Sequence, residues 1–340
     1  MPINLTAEKL TAAVDLAGIL GGGRRVCLTT HVNPDGDGLG SEVGLAHLLR
    51  ANGVTVSIAN PTPTAPRFEF LFRDLPGVDR SDQAVKELRR ADAIVVLDIS
   101  DLSRLGMLAE TVRERGATVP VGCVDHHLSP GTLPAGPRYV DPTAAATGEL
   151  IVEIAMANEW PLTPTAARAL YVAILTDTGG FRFSNTHPRT LRIAAELLDR
   201  GIDPEAIYLD VYAGAPEGRV RLLAEVLQTL VVEPEVGLSW VTVPPGAVER
   251  YQVSSDDLDG VIEHARSIAG IKMALLFREI AQGRIKVSLR SIGAVDVAAF
   301  AQPFGGGGHS KAAGLSLEGS LSAVQDTVLQ AARRYLTATG

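Results

Sequence analysis

Side chains able to bind a metal ion are concentrated in residues 24–41. His31, Asp35 and Asp37 lie within seven residues of one another, among an asparagine, a proline and several glycines. They follow an apolar, strand-like run and precede an apolar, helix-compatible one. An imidazole and two carboxylates at the C-terminal end of a strand suit Mn²⁺, Mg²⁺ or Zn²⁺. The same residues are equally typical of a tight turn, because Asp-Gly and proline favour turns.

Three further places in the chain carry ligand-type groups. Their residues are Asp98, Asp125, His126, His127 and Asp177. Taken alone, each has an ordinary structural interpretation. Asp98 is typical of a helix cap, Asp177 of the last turn of a helix, and Asp-His-His of a surface loop. Together they outweigh these interpretations, because every one of these clusters except Asp177 comes at the end of a predicted strand.

The elements that must position these groups can be predicted from the hydrophobic pattern. Continuous apolar runs predict strands at 26–30, 54–59, 91–97 and 119–124. Helical periodicity between and after them, with helices at about 41–52 and 103–115 among others, predicts a doubly wound parallel sheet. The carboxyl ends of parallel strands meet at one edge, so the ligand-type groups should converge there. Several carboxylates with imidazoles fit a two-metal centre that activates water for attack on phosphorus.

The pattern changes in the last third of the chain. Runs at 238–243, 272–280 and 284–290 predict strands, the last two joined as a hairpin. Helical periodicity near 257–269 and 321–337 completes an α+β lobe. The sequence therefore predicts two domains, a larger one over 1–195 and a smaller one over 217–340, joined by a helical connector over 196–216.

Charge and composition exclude several classes of protein. The chain of 340 residues carries a formal net charge of −8, whereas duplex DNA binding needs an extended basic face. The amino terminus lacks the features of a signal peptide, and no apolar run reaches the length of a membrane span. Cys27 and Cys123 lie in apolar runs, which favours buried thiols over a reactive or bridged pair. These features predict a cytoplasmic protein with no duplex DNA or membrane partner.

A basic stretch covers residues 272–311, where six cations oppose two carboxylates. This excess suits a small anionic ligand. Arg278, Arg284 and Lys286 are more typical of a solvated hairpin face. Arg290 differs because it ends its strand, and it is a candidate substrate contact.

A run of glycines ends this basic stretch. The candidate binding residues in it are Gly306, Gly307, Gly308 and His309. Glycine lets backbone N–H groups approach an anion closely, and a histidine adds a side-chain donor. A structural turn is the alternative interpretation of this loop.

The order of these motifs resembles a known family. His-x-x-x-Asp-x-Asp at 31–37, the strand-end Asp98, Asp-His-His at 125–127 and the Thr-Asp-Thr-Gly around Asp177 are similar to the four motifs of the DHH phosphoesterase superfamily. The Gly-Gly-Gly-Gly-His at 305–309 resembles the signature of the DHHA1 domain. The resemblance covers nearly the whole chain. It implies a DHH catalytic domain and a smaller DHHA1 substrate-binding domain, with a metal cleft between them.

The resemblance also implies a role for each motif residue. It implies two divalent ions, with Mn²⁺ preferred and Mg²⁺ or Co²⁺ as alternatives. The ligands would be His31 and Asp35 for one ion, Asp37, His126 and Asp177 for the other, and Asp98 as the bridge. Asp125 would orient a ligand histidine, and His127 would face the scissile phosphate as a donor or proton shuttle. Arg290 and the loop from Gly306 to His309 would hold the substrate.

The implied activity is metal-dependent phosphate-ester hydrolysis. The substrates would be nanoRNA of two to five nucleotides, cut to mononucleotides, and 3′-phosphoadenosine 5′-phosphate (pAp), converted to AMP. The alternative enzyme is a phosphodiesterase for cyclic di-AMP or for linear pApA and pGpG. The alternative outside catalysis is a nucleotide-sensing binding protein. A homodimer remains open.

Overall fold

The computed structural model describes residues 5–21, 23–127, 131–258, 260–281 and 283–339. The chain divides into two compact units, Met1–Gly214 and Ala215–Gly340. The segment 196–216, predicted as a connector, includes a helix that lies within the first unit.

The first unit is a parallel α/β structure. Its elements are α1 (Ala7–Gly18), β1 (Arg25–Thr29), α2 (Gly36–Ala51), β2 (Thr55–Ile58), α3 (Ala84–Arg90), β3 (Ala93–Leu97), α4 (Ala109–Gly116), β4 (Val121–Asp125), β5 (Arg138–Val140), α5 (Thr147–Ala157), α6 (Pro164–Asp177), α7 (Pro188–Leu198) and α8 (Pro204–Tyr212). The described strands form one parallel sheet in the order β2-β1-β3-β4-β5. The prediction of a doubly wound parallel sheet is confirmed.

Both faces of this sheet are buried, which explains the continuous apolar runs in its strands. Val26 and Leu28 of β1 pack into the core beneath α2, α5 and α6, whereas Cys27 between them packs toward α3 and α4. Successive side chains of a strand point to opposite faces, so a strand covered on both sides needs apolar residues at every position.

Two helices of the first unit approach each other unusually closely. A Cβ added at Gly40 of α2 would lie 2.6 Å from the carbonyl oxygen of Ala169 in α6. A Cβ at Gly36 would collide with Thr176 in the same way, at 2.5 Å from its hydroxyl. The end of α6 therefore packs against the start of α2, and Asp177 at the last position of α6 comes close to the first turn of α2.

The structure corrects some predicted boundaries in the first unit. Helix α2 begins at Gly36 instead of near Ser41, so the residues interpreted as a turn are its N-cap and first turn. The helix predicted over 103–115 is a 3-10 segment, Leu102–Leu108, followed by α4, with a break at Gly106 where φ is +53°. The short edge strand β5 was not predicted, because three residues carry too little pattern.

The second unit has a mixed sheet covered by helices. Its elements are α9 (Glu217–Gln228), β6 (Val231–Glu233), β7 (Leu238–Thr242), α10 (Ala247–Arg250), α11 (Val261–Arg266), β8 (Met273–Ala281), β9 (Arg284–Ser291), α12 (Val297–Ala301), β10 (Gly307–His309), β11 (Ala312–Glu318) and α13 (Leu321–Thr339). The described strands have the order β10-β11-β9-β8-β7-β6, and the β7–β8 pair is parallel. The predicted α+β lobe and its β8–β9 hairpin are confirmed.

Part of the glycine run is a strand and not a loop. Residues Gly307–His309 pair antiparallel with β11. Gly308 has a φ of +142°, and a Cβ there would lie 2.5 Å from the carbonyl oxygen of Ala312. A Cβ at Gly306 would lie 2.4 Å from the carbonyl oxygen of Gly314. These two glycines are therefore required for the close approach of neighbouring backbone, whatever else the segment binds.

Two further properties follow from the burial pattern. Cys27 and Cys123 are both buried free thiols. Among the residues that the structure describes, no helix combines the length and the apolar character needed to cross a bilayer.

Candidate metal centre

The ligand-type side chains come from the C-terminal edge of the parallel sheet. His31 follows β1, Asp98 follows β3, and Asp125 ends β4 directly before His126. Asp98 has a φ of +57°, a left-handed conformation that bends the chain away at the strand end. This bend leaves its side chain at the sheet edge, where it is 2% exposed.

Helices α2 and α6 supply the remaining side chains. The carboxylate of Asp35 caps α2 by accepting the N–H groups of Asp37 and Gly38 at 3.0 and 3.1 Å. Asp37 lies in the first turn of the same helix, and Asp177 ends α6.

The six predicted ligands converge into two groups that share Asp98. On one side, Nε2 of His31 lies 3.6 Å from Oδ2 of Asp98 and 3.9 Å from Oδ1 of Asp35. On the other side, Nε2 of His126 lies 3.5 Å from Oδ1 of Asp98. The second group is completed by Asp37 and Asp177, whose Oδ2 atoms lie 3.5 and 3.7 Å from the same Nε2.

These separations fit metal coordination better than direct hydrogen bonding. Two ligands of one ion, each about 2.0–2.2 Å from it, lie roughly 3–4 Å apart. The donors are imidazole nitrogens and carboxylate oxygens, which suit divalent ions. The two oxygens of Asp98 face different groups, so this carboxylate can contribute to both. The residues present therefore fit a pair of divalent ions.

The pKa shifts of the clustered side chains also fit a cation site. Burial, together with the nearby charges of Asp98 and Asp177, raises the pKa of Asp37 well above its usual range. Burial also raises the pKa of Asp177 to about 6. Burial alone would lower the pKa of His31, but hydrogen bonds to Asp35 and Asp98 outweigh it and raise that pKa to about 10. Burial alone would raise the pKa of Asp98 as well, but the hydrogen bond to His31 and the neighbouring imidazoles lower it to about 2. Without cations, Asp37 and Asp177 therefore retain protons more readily than usual, while Asp98 stays ionised.

The histidine rings are oriented by backbone carbonyl groups. Nδ1 of His31 lies 2.9 Å from the carbonyl oxygen of Val32, and Nδ1 of His126 lies 3.4 Å from that of Ala144. When Nδ1 carries the proton and donates to the carbonyl, the lone pair of Nε2 faces the carboxylates.

Asp125 contacts His127 and not the candidate ligand His126. Its Oδ1 accepts hydrogen bonds from the backbone N–H and from Nδ1 of His127, at 3.1 and 2.8 Å. That Asp125 orients a ligand histidine stays a prediction, and the hydrogen bonds that the structure describes for its side chain come from His127. The hydrogen bond to Asp125 raises the pKa of His127, and its imidazole is about one-third exposed.

The predicted substrate residues lie in the second unit. Arg290 is half-buried on β9, and its Nε donates a 3.1 Å hydrogen bond to Oε1 of Glu263. Arg278 and Lys286 stand directly opposite each other in the β8–β9 register, and with Arg290 they line a cavity of about 70 Å³. Arg278 is half-buried and Lys286 is exposed, so the solvated hairpin face stays a prediction. The side chain of His309 lies outside the described residues.

Comparison with known proteins agrees with this arrangement. The family model "DHH family, N-terminal domain" matches residues 25–174, and the model "DHHA1 domain" matches residues 242–338. The bifunctional oligoribonuclease and PAP phosphatase NrnA of Thermus thermophilus is 35% identical over 93% of this chain and 91% of its own. The chain belongs to the DHH family.

Other DHH relatives extend the likeness. The protein of the same description from Bacillus subtilis is 27% identical over 86% of this chain and 89% of its own. The crystal structure of an exopolyphosphatase-related protein from Bacteroides fragilis superposes with a TM-score of 0.88 at 25% identity, covering 96% of this chain and 97% of that one. A structure titled exonuclease RecJ bound to manganese covers 99% and 96%, with a TM-score of 0.51 at 18% identity, and shows a common fold alone.

One residue that contacts two of the DHH carboxylates was missed by the sequence analysis. The backbone N–H groups of Thr147 and Gly148 donate to Asp37 at 2.7 and 3.0 Å. The hydroxyl of Thr147 also donates to Oδ1 of Asp98 at 3.0 Å. These contacts come from the first turn of α5, and backbone donors at a helix start leave no residue-type signal in a sequence.

Proposed function

We propose that this protein is a Mn²⁺-dependent phosphohydrolase that degrades short oligoribonucleotides to mononucleotides and dephosphorylates pAp to AMP. The observation that carries the proposal is the sharing of Asp98 between two groups of ligand-type side chains. The relatives named as oligoribonuclease and PAP phosphatase, which this chain matches over most of its length, supply the substrate class.

The proposed ligands divide between the two groups. His31 and Asp35 would hold one ion, while Asp37, His126 and Asp177 would hold the other, and Asp98 would contact both. Divalent ions bound there supply Lewis-acid stabilisation of the charge that develops on the phosphoryl oxygens. Manganese is proposed because it accepts this mixture of carboxylate and imidazole ligands.

The protein's own residues perform the remaining tasks. His127 shares Nδ1–H with Asp125, which leaves Nε2 as the atom able to hold a proton and to donate it toward a phosphate or leaving group. The hydrogen bond that His127 donates to Asp125 raises the pKa of this imidazole and so favours its protonated, donating form. The α5 N-terminus, through Thr147 and Gly148, fixes the carboxylate of Asp37.

In the DHHA1 unit, the proposed role of Arg290 and the segment Gly306–His309 is to bind the nucleotide portion of the substrate. The cations Arg278 and Lys286 beside Arg290 support this proposal. Like charges placed directly opposite each other on neighbouring strands are destabilising, and an anion bound between them would offset this repulsion.

The test is a panel of pAp, diadenylate and pentaadenylate, assayed with Mn²⁺ and after chelation. The proposal expects turnover of all three with Mn²⁺, its loss on chelation, and near-complete loss in an Asp98→Asn variant that remains folded. Binding of these compounds without turnover would instead identify a nucleotide-sensing protein. Turnover confined to a linear dinucleotide would identify the alternative phosphodiesterase.

A further inference from the structure

A second feature of the first unit lies beside the metal centre but is not part of it. It is a cavity of about 610 Å³, within the range of pockets that bind organic ligands. Three segments line it: the loop after β2 with Asn60, the region 81–90 that includes α3, and the end of the 3-10 segment at Met107. None of the six proposed metal ligands lines it.

The cavity adjoins the segment that carries His31. In the sheet, β1 lies between β2 and β3, so the loops that follow β2 and β3 flank the loop after β1. Oδ1 of Asn60 accepts the backbone N–H of Thr30 at 3.0 Å. On the other flank, Val32 packs so closely on Gly106 that a Cβ added there would lie 2.7 Å from its methyl group. The Asn60 and Met107 end of the cavity is therefore within a few residues of His31, whereas Arg89 and Arg90, at the end of α3, lie toward the other end of the strands.

The cavity begins at a position of the sheet where open parallel sheets commonly bind ligands. The chain runs from β1 to β2 through α2 on one face, and from β2 to β3 through α3 on the other. The strand order reverses at β1, and a crevice forms at such a reversal outside the carboxyl ends of the strands. The metal centre uses part of this edge, and the cavity begins on its α3 side at Asn60 and continues along α3 to Arg89 and Arg90.

The lining is cationic, although the chain as a whole is acidic. Lys86, Arg89 and Arg90 contribute three positive charges against the single carboxylate of Asp82. The guanidinium groups of Arg89 and Arg90 are more than half exposed, and each is 4.0 Å from its glutamate partner. Exposed pairs at such a distance contribute little and are readily exchanged for a phosphate.

An exposed apolar side chain also lines the cavity. The side chain of Met107 is 73% exposed at the cavity rim, an unusual exposure for methionine. Its flexible, polarisable thioether makes favourable contacts with aromatic rings, and a nucleobase offers such a ring. Cations and a soft apolar side chain in the same lining match the two chemical halves of a nucleotide.

We propose that this cavity is a subsite for the nucleotides of an oligoribonucleotide that lie beyond the scissile phosphate, with Arg89 and Arg90 contacting phosphates and Met107 contacting a base. This subsite rests on the proposed function, and it explains how the protein would bind substrates longer than a dinucleotide. A small substrate such as pAp ends before reaching the cavity, whereas a pentanucleotide extends into it.

The experiment compares the double variant Arg89→Gln/Arg90→Gln with wild type on pentaadenylate and on pAp. The ratio of kcat/KM for pentaadenylate to that for pAp is expected to fall about tenfold, a loss of about 1.4 kcal/mol. The dependence of log kcat/KM for pentaadenylate on log salt is expected to become shallower by about 0.7 for each phosphate that the variant no longer binds. Met107→Ala should lower the same ratio without changing the salt dependence.

The matched control is Arg113→Gln/Arg192→Gln, which removes two exposed arginines of the same unit that do not line the cavity. The subsite is rejected if this control changes the ratio as much as Arg89→Gln/Arg90→Gln does, or if neither variant changes it. Binding of labelled pentaadenylate in EDTA, followed by fluorescence anisotropy, tests the same variants without hydrolysis. Wild-type protein that binds Mn²⁺ but hydrolyses neither substrate refutes the proposed function, whereas equal anisotropy curves for both double variants refute the subsite.

Discussion

The backbone N–H of Thr147 donates a 2.7 Å hydrogen bond to Oδ2 of Asp37, joining the first turn of α5 to the first turn of α2. The Thr147 hydroxyl donates at 3.0 Å to Asp98. One residue thus orients two buried carboxylates that come from different parts of the chain. A helix N-terminus also favours negative charge, which partly offsets the repulsion between these carboxylates.

We expect Thr147→Val to weaken Mn²⁺ binding about tenfold, because it removes the hydroxyl that orients Asp98 and keeps the backbone N–H. Thr147→Ser retains a hydroxyl and should bind Mn²⁺ nearly as well as wild type. Isothermal titration calorimetry on the three proteins measures the dissociation constants. Equal affinities for the valine and serine variants would show that the Asp98 contact does not support the metal centre.

Asp177→Asn should stabilise the metal-free protein at neutral pH. The folded-state pKa of Asp177 is raised to about 6 from 3.8, mainly by burial, so its ionisation favours unfolding. The loss of folding stability caused by this ionisation is absent below pH 4, grows as pH rises from about 4 to 6, and stays constant above that range. The variant should therefore gain about 1–2 kcal/mol at pH 7.5 in EDTA, and little at pH 4. Thermal unfolding at both pH values measures this, and a gain of equal size at pH 4 would contradict it.

His127→Gln should lose rate while keeping its metal ions. The expected fall in kcat is on the order of 10²-fold, because a proton donor near the phosphate is removed and the proposed ligands remain. Metal content measured by plasma mass spectrometry, alongside kcat on pAp, separates the two effects. Loss of one ion together with the loss of activity would show that His127 is a ligand. Its Nδ1 lies 3.7 Å from Oδ1 of Asp98, a separation compatible with that role.

Arg290→Gln should raise KM for pAp and diadenylate about 10- to 100-fold, as expected for a charged hydrogen bond to phosphate. It should change hydrolysis of bis-p-nitrophenyl phosphate far less, because this compound lacks the nucleotide that Arg290 would bind. Arg284→Gln, on the same strand and exposed, is the control. Equal losses on both kinds of substrate would show that Arg290 supports the fold through Glu263.

The sheet and its ligand-bearing edge could be predicted because both leave residue-type signals. Strand β3 is apolar throughout and is followed by Asp98, and β4 is apolar up to Asp125, its last residue, which His126 follows. The start of α2 was misplaced because glycines and a proline around Asp35 are typical of turns, whereas packing of Gly36 and Gly40 against α6 makes the helix begin there.

The rest could not be predicted because it depends on backbone groups and on residues distant in sequence. Thr147 reaches Asp37 across 110 residues of chain through its N–H, a group that nearly every residue has. Arg278 and Lys286 are ordinary hairpin cations in sequence, and only the β8–β9 register places them face to face. The cavity lined by Arg89 and Met107 likewise depends on the order of strands in the sheet.

The central claim is that Asp98 joins two metal ions. The most direct measurement is an anomalous-difference map from crystals grown with Mn²⁺, recorded at the manganese absorption edge. We expect two peaks about 3.5–4 Å apart, one on each side of the Asp98 carboxylate. The first should be next to His31 and the second next to His126. A single peak, or two peaks of which one is remote from Asp98, would contradict the shared carboxylate and the two-metal mechanism built on it.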